Sequence, residues 1–194
     1  METTNTIKDV HIDRLKGYFL ESTKNLIKSE GIESVTVRSI AEHAGYSFGT
    51  LYKHYKDVKE LIYFSGLDFM KECEEYIGYE NFQTEESDDV VIQKSLKYAE
   101  YYIQYDGIFH LFFLSNRISI SKLSDFNHEI YAMHKRIFLH NLKSKYGDKA
   151  ESLLESLVAV LIGSLTLYLN RLYPETYSEF KKILISNLKS INSK

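Results

Sequence analysis

Thr36-Val37-Arg38-Ser39-Ile40-Ala41-Glu42-His43-Ala44-Gly45-Tyr46-Ser47-Phe48-Gly49-Thr50-Leu51-Tyr52-Lys53-His54-Tyr55 is the stretch whose reading decides the fold. Thr36 can cap a helix that carries Val37, Ile40, Ala41 and Ala44, because its hydroxyl accepts from an amide left unpaired in the first turn. Gly45 stops that helix in the left-handed conformation that other residues adopt only at a cost. Ser47 then caps a short helix containing Leu51, Tyr52 and Tyr55. Ala41 and Ala44 are small enough for the two helices to cross closely, with Ile40 and Leu51 packed between them. This is the geometry of a helix-turn-helix, whose second helix enters a major groove. That helix offers Ser47, Phe48, Thr50, Lys53 and His54 outward, a set rich in donors and free of carboxylates. Hydroxyls and ammonium groups suit phosphate oxygens, which give affinity and register.

Outward from this stretch the apolar spacing stays helical. A first helix reads from about Val10 to Ser29, with Ile12, Leu15, Phe19, Leu26 and Ile27 opposite Lys16, Lys24 and Lys28, and Gly31 ends it. Asp57 caps a fourth helix running towards Tyr76 or Gly78. Residues 80–89 are polar and acidic and read as a loop whose acids favour the start of the next helix. Helices are then expected over about Val90–Tyr105, Ile108–Asn116, Lys122–Tyr146 and Lys149–Leu172, with breaks at Asp106-Gly107, Gly147 and Pro174 and a last helix to about Ile191. No strand alternation or repeat is visible, so the fold class is all-α with about nine helices.

Composition agrees. The 194 residues are 44% hydrophobic, enough for a packed core, and one proline with nine glycines is too little punctuation for a turn-rich β fold. The net charge of -3 does not advertise a polyanion partner, but its distribution matters more than its total. Residues 1–60 balance nine basic against nine acidic side chains, and His43–Lys56 has no acid at all, so phosphates can approach there. The lone Cys73 forms no intrachain disulfide and reads as a buried apolar residue. The start Met1-Glu2-Thr3-Thr4-Asn5 lacks a signal-peptide core, and the longest uncharged run, Ser156–Asn170, is too short to span a bilayer. A soluble cytoplasmic protein without membrane contact is expected.

Gly31, the Thr36–Ala41 start, the Ala44-Gly45 turn, Gly49–Tyr55 and Lys59-Glu60-Leu61 together resemble the TetR-family DNA-binding domain over about residues 10–62. The resemblance implies a helix-turn-helix domain over residues 1–60 and a helical ligand-binding and dimerisation domain over 61–194. It implies a homodimer on a palindromic double-stranded DNA operator, usually a repressor, with no enzymatic activity. Thr36 and Arg38 would lie near one phosphate strand; Tyr52 and His54 would contact phosphates or bases, with Ser47, Thr50 and Lys53 beside them. Gly49 would let the backbone approach closely. Two residues depart from the family pattern. Val58 stands where a Lys is common, so Lys59 or Lys56 would supply that contact. Phe48 stands where polar residues are common; it either meets a thymine methyl or packs against the first helix.

Beyond residue 80 no catalytic, cofactor or metal motif stands out; His110, His128, His134 and His140 include no i, i+4 pair. Tyr101, Tyr105, Phe109 and Phe112 fall near one helical face, and Tyr131, His134 and Phe138 recur on a later helix. They are either ordinary core or the wall of a cavity for an unidentified small-molecule effector, which the family resemblance favours. Leu157, Leu161, Leu165 and Tyr168, with Phe180, Leu184 and Leu188, form two stripes expected to pair with their copies in a dimer, burial within one chain being the alternative. A helical protein-interaction factor without an effector is the rival reading.

Overall fold

The computed structural model describes residues 7–78 and 89–192, and every regular element among them is helical. In chain order these are α1 (Ile7–Glu30), α2 (Val37–Ala44), α3 (Phe48–Leu51), α4 (Val58–Ile77), α5 (Val90–Gln104), α6 (Asp106–Phe109), α7 (Ile120–His134), α8 (His140–Tyr146), α9 (Ala150–Leu169) and α10 (Tyr177–Asn192). The acidic loop expected over residues 80–89 lies outside the described residues apart from Asp89, which caps α5 by accepting from Val91 N at 2.9 Å. The single helix expected over Lys122–Tyr146 is α7 and α8 joined by a π-helical turn, Lys135–Leu139.

The chain divides into two compact units. The first holds the residues up to Phe69 together with Gly107–Phe126. Its core gathers Phe19, Ile27, Val35, Ile40, Leu51, Leu61 and Ile62 with Ile108, Phe109, Phe112 and Phe126. Two glycines let the later segment join the earlier one. A Cβ on Gly107 would stand 2.0 Å from the Ile27 carbonyl oxygen, and one on Gly66 would stand 2.4 Å from the Phe126 ring. Arg117 completes the attachment by donating to the Val35 carbonyl, with Glu33 3.5 Å from its guanidinium.

The second unit holds Met70–Asp106 and the residues from Asn127 onward. Here the dimer stripes expected from the sequence need correction. Leu157, Leu161, Leu165, Phe180, Leu184 and Leu188 are all buried within the single chain, at 3% exposure or less. They pack α9 and α10 onto their own unit, as Tyr168 and Phe180 do with ring centroids 4.7 Å apart. Each such leucine contributes about 1.5–3 kcal/mol, an amount the chain gains without a partner. Only Tyr168 of the seven is partly exposed. The outward face of α9 instead carries Ser156, Ala159, Gly163 and Leu167.

The run Ile120–Leu169 also contains a window long and apolar enough to cross a membrane by length and composition, contrary to the expectation from the uncharged run. Counting only uninterrupted neutral residues missed it, because one or two charges do not disqualify such a window. Only 22% of the window is buried inside the chain. α10, packed along α9, exposes Glu179, Lys182 and Lys189, so no continuous apolar belt surrounds the pair.

Candidate nucleic-acid interface

The local rules that make α2, the turn and α3 can be followed atom by atom. Thr36 Oγ1 accepts from Ser39 N at 3.0 Å while Ser39 Oγ accepts from Thr36 N at 2.9 Å, a reciprocal capping box. Ser39 Oγ also donates to the Ser34 carbonyl at 2.8 Å, which fixes the chain's entry into α2. Gly45 sits at φ 74° and ψ 26°, and the Tyr46 amide reaches back to the Ala41 carbonyl at 3.0 Å, closing α2. Ser47 Oγ accepts from Thr50 N at 3.2 Å and starts α3.

α3 itself is short, but bonds from His54 N and Tyr55 N to the Leu51 carbonyl, each 3.0 Å, carry the coil to Tyr55. Ile40 and Leu51 are fully buried between the two helices, as the sequence required. Tyr55 ties α3 to α1 by donating to the Lys16 carbonyl at 3.0 Å. Burial, reinforced by the negative charges of Glu60 and Asp68, pushes its phenol up to about 12, so the donor proton is held at neutral pH. At the turn, Tyr46 stacks on Tyr18 at 6.1 Å and leans on Phe19 at 5.7 Å.

The exposed surface this framework presents is nearly the predicted set. Thr36, Arg38, Ser47, Phe48, Gly49, Tyr52 and Lys53 are exposed, and Thr50 and His54 are half-buried on the same short segment. Phe48 is 65% exposed and Tyr52 54%. A Cβ added to Gly49 would meet only Ser47 Oγ, at 3.7 Å, so its bare backbone serves no internal packing need. Arg38 is paired through Nε with Glu42 at 2.8 Å, which leaves other donors of the guanidinium for a phosphate.

Lys59 lies in the first turn of α4, whose start is capped from within: Asp57 accepts from Glu60 N at 2.9 Å, and Glu60 accepts from Lys56 N at 2.6 Å. Lys56, Lys59 and Lys122, with Ser119, Ser121 and the acids Asp57 and Glu60, line a cleft of about 230 Å³ beside that turn. Lys122, Ser119, Ser121 and the positioning residue Arg117 were missed from the sequence. They reach this unit from more than 50 residues away, with no local signal.

Residues 19–62 match the model of the bacterial regulatory proteins of the tetR family. The head is a TetR-family domain. A helix-turn-helix transcriptional regulator of Staphylococcus aureus (strain USA300) is 39% identical to this chain over 44 residues, 23% of the chain and 24% of the regulator. The match thus spans about a quarter of the length of the curated relatives. Solved structures extend the fold likeness to nearly the whole chain. A Rhodococcus protein assigned to the TetR family superposes with a TM-score of 0.66 at 15% identity, covering 92% of this chain and 98% of its own. One from Mesorhizobium loti superposes at 0.65 and 14%, covering 99% and 98%. At these identities the likeness shows a TetR-like fold.

The residues of the expected effector wall fall in both units. Phe109 and Phe112 belong to the first unit, where they pack on Phe113 at 5.1 Å and Phe126 at 5.6 Å respectively. Tyr105 leaves the helical region at φ -128° and ψ 66°, which ends α5. Tyr131 sits at the surface with the Lys135 ammonium 4.8 Å from its ring centroid.

What the second unit does bring together is a buried aromatic and polar cluster. Tyr98 Oη lies 2.8 Å from His134 Nε2, and the Tyr98 ring packs on Tyr102 at 4.8 Å and Phe138 at 6.0 Å. Tyr101 continues the cluster to Tyr102, Tyr105 and Tyr76 at 5.3–5.6 Å. Burial lowers His134 to about 4 and keeps it neutral, and burial pushes the Cys73 thiol up, so both are uncharged at neutral pH. Lys94 donates from Nζ to the Ile137 carbonyl at 3.0 Å, inside the π-helical turn, and to Asn141 Oδ1 at 2.9 Å. Burial lowers its pKa as well.

Proposed function

We propose that this protein is a transcriptional regulator that binds a palindromic operator as a homodimer, represses by occupying it, and answers to a small-molecule effector. The observation that carries the DNA-binding reading is the exposed, carboxylate-free face of α3, from Ser47 to His54, set on a rigidly capped helix-turn-helix. Thr36, Arg38 and Lys59 supply phosphate contacts that fix register, and the α3 side chains face base edges. Residues 1–60 act as the DNA-binding domain, and 61–194 carry dimerisation and effector binding. A protein with this role works in the cytoplasm, where the chromosome is, and performs no chemical step.

Dimerisation is assigned to the outward face of α9. Ser156, Ala159 and Gly163 are small enough for a second copy of α9 to approach closely, and Leu167 beside them is 45% exposed. The effector is assigned to the cluster of Tyr98, Tyr101, Tyr102, His134 and Phe138 in the second unit. Its groups are neutral and aromatic with hydroxyls interspersed, which suits an uncharged aromatic compound.

The test is selection of binding sites from random duplexes with the purified protein. A two-fold-related motif is expected, with affinity falling steeply with salt as counterions are released. Tyr52→Ala with His54→Ala should weaken binding at least tenfold while helicity is unchanged. A folded double variant with undiminished affinity sinks the assignment.

A further inference from the structure

Phe48 is the first residue of α3, and it is 65% exposed. The internal role open to it in sequence terms, packing against α1, is already filled. Tyr46 occupies that contact, with its ring 5.7 Å from Phe19 and 6.1 Å from Tyr18. The neighbouring hydroxyls are committed to each other, Ser47 Oγ lying 3.0 Å from Thr50 Oγ1, so the polar atoms at this end of α3 are partly spent. The most prominent unspent group at the start of the recognition helix is therefore an apolar ring. Residues at the N-terminal end of such a helix are the ones that meet base edges.

In the major groove the C5-methyl of thymine is the one apolar group among donors and acceptors; its place in the groove separates T·A from A·T, and its presence separates both from the G·C pairs. We propose that Phe48 is a specificity-determining residue that reads the 5-methyl group of a thymine in each half-site. The proposal rests on the DNA-binding reading above. Gly49 next to it keeps the backbone bare, and Gly45 holds the turn that aims the ring. Recognition is by exclusion of water between ring and methyl, so it depends on the methyl group and not on the rest of the pyrimidine. A 5-methylcytosine at the same position presents the same group.

The experiment uses the full-length protein and the duplexes it selects. Each thymine is replaced in turn by deoxyuridine, which removes one methyl and leaves pairing intact. One position per half-site should lose about fourfold in affinity, and replacement in both half-sites about fifteenfold, the change expected for one buried methyl-sized group per site. At that position 5-methylcytosine should bind better than cytosine by a similar factor. Phe48→Ala should bind thymine and deoxyuridine duplexes alike, and Phe48→Leu should keep part of the preference; circular dichroism checks that both fold. Affinity indifferent to deoxyuridine at every position, or a methyl preference that survives Phe48→Ala, overturns the proposal. A failure to select any motif overturns the DNA-binding reading and this one with it.

Discussion

Gly107→Ala isolates the contact that fastens Gly107–Phe126 to α1. In the interior of a helix such a change ordinarily stabilises, by about 1 kcal/mol. Here the new methyl would stand 2.0 Å from the Ile27 carbonyl oxygen and 3.1 Å from both Ile27 C and Gly31 Cα. All three are backbone atoms and cannot rotate aside. The oxygen is moreover the acceptor for Gly31 N at 3.2 Å, so pushing it away also loosens the end of α1. Overpacking of this kind costs about 1–3 kcal/mol, and backbone obstruction places it at the upper end. After the propensity gain the net loss is about 2 kcal/mol, which for a chain of this size lowers the melting temperature by about 4–8 °C. The assay is thermal and urea unfolding followed by circular dichroism. Gly17→Ala, on an exposed face of α1 where nothing lies within 4 Å of the added methyl, is the control and should melt higher than the parent. If Gly107→Ala melts at or above the parent temperature, the close approach does not exist and the placement of this segment is wrong.

The buried imidazole of His134 gives an acid-side prediction. Its pKa is depressed to about 4 in the fold against an ordinary 6.5, so the stability it contributes is present above pH 6.5 and is lost as pH falls towards 4. The amount is roughly 3 kcal/mol, and in urea unfolding from pH 7 to 4 the parent should lose that much more than His134→Gln; equal losses would show the ring is open to solvent. On α9, Gly163→Arg should yield helical monomers in sedimentation, because a side chain there meets nothing within 4 Å of its own chain. Leu161→Arg should instead unfold the chain, since Leu161 is fully buried, and a Gly163→Arg protein that stays dimeric places the interface elsewhere.

The head was legible because its rules are local. A cap at Thr36, a left-handed glycine at Gly45, a second cap at Ser47 and apolar residues three and four apart specify the helix-turn-helix within 20 residues. What failed depended on distance. Arg117 meets the Val35 carbonyl 82 residues away, and no sequence pattern announces it. α9 is apolar on most of its faces, so periodicity could not tell the inward stripe of Leu157, Leu161 and Leu165 from the outward one. The aromatic residues counted as one face lie on both sides of the break at Tyr105, where α5 ends, Tyr101 before it and Phe109 and Phe112 after it. The buried cluster around Tyr98 had a visible signal in the density of tyrosines, but its hydrogen bond to His134 spans 36 residues.

The reciprocal cap at Thr36 restricts which side chains that position can carry. Oγ1 uses a lone pair to accept from Ser39 N and lies 3.0 Å from Ser39 Oγ; in the proposed DNA complex its one proton would turn to a phosphate. Asp or Asn would cap α2 equally well, but Asp has no proton to give and adds a charge that phosphate repels, while Asn would have to present its amide from a different place. Ala satisfies neither demand. Only Ser reproduces both with the same atom, so the cap and the proposed contact place two demands on a single oxygen.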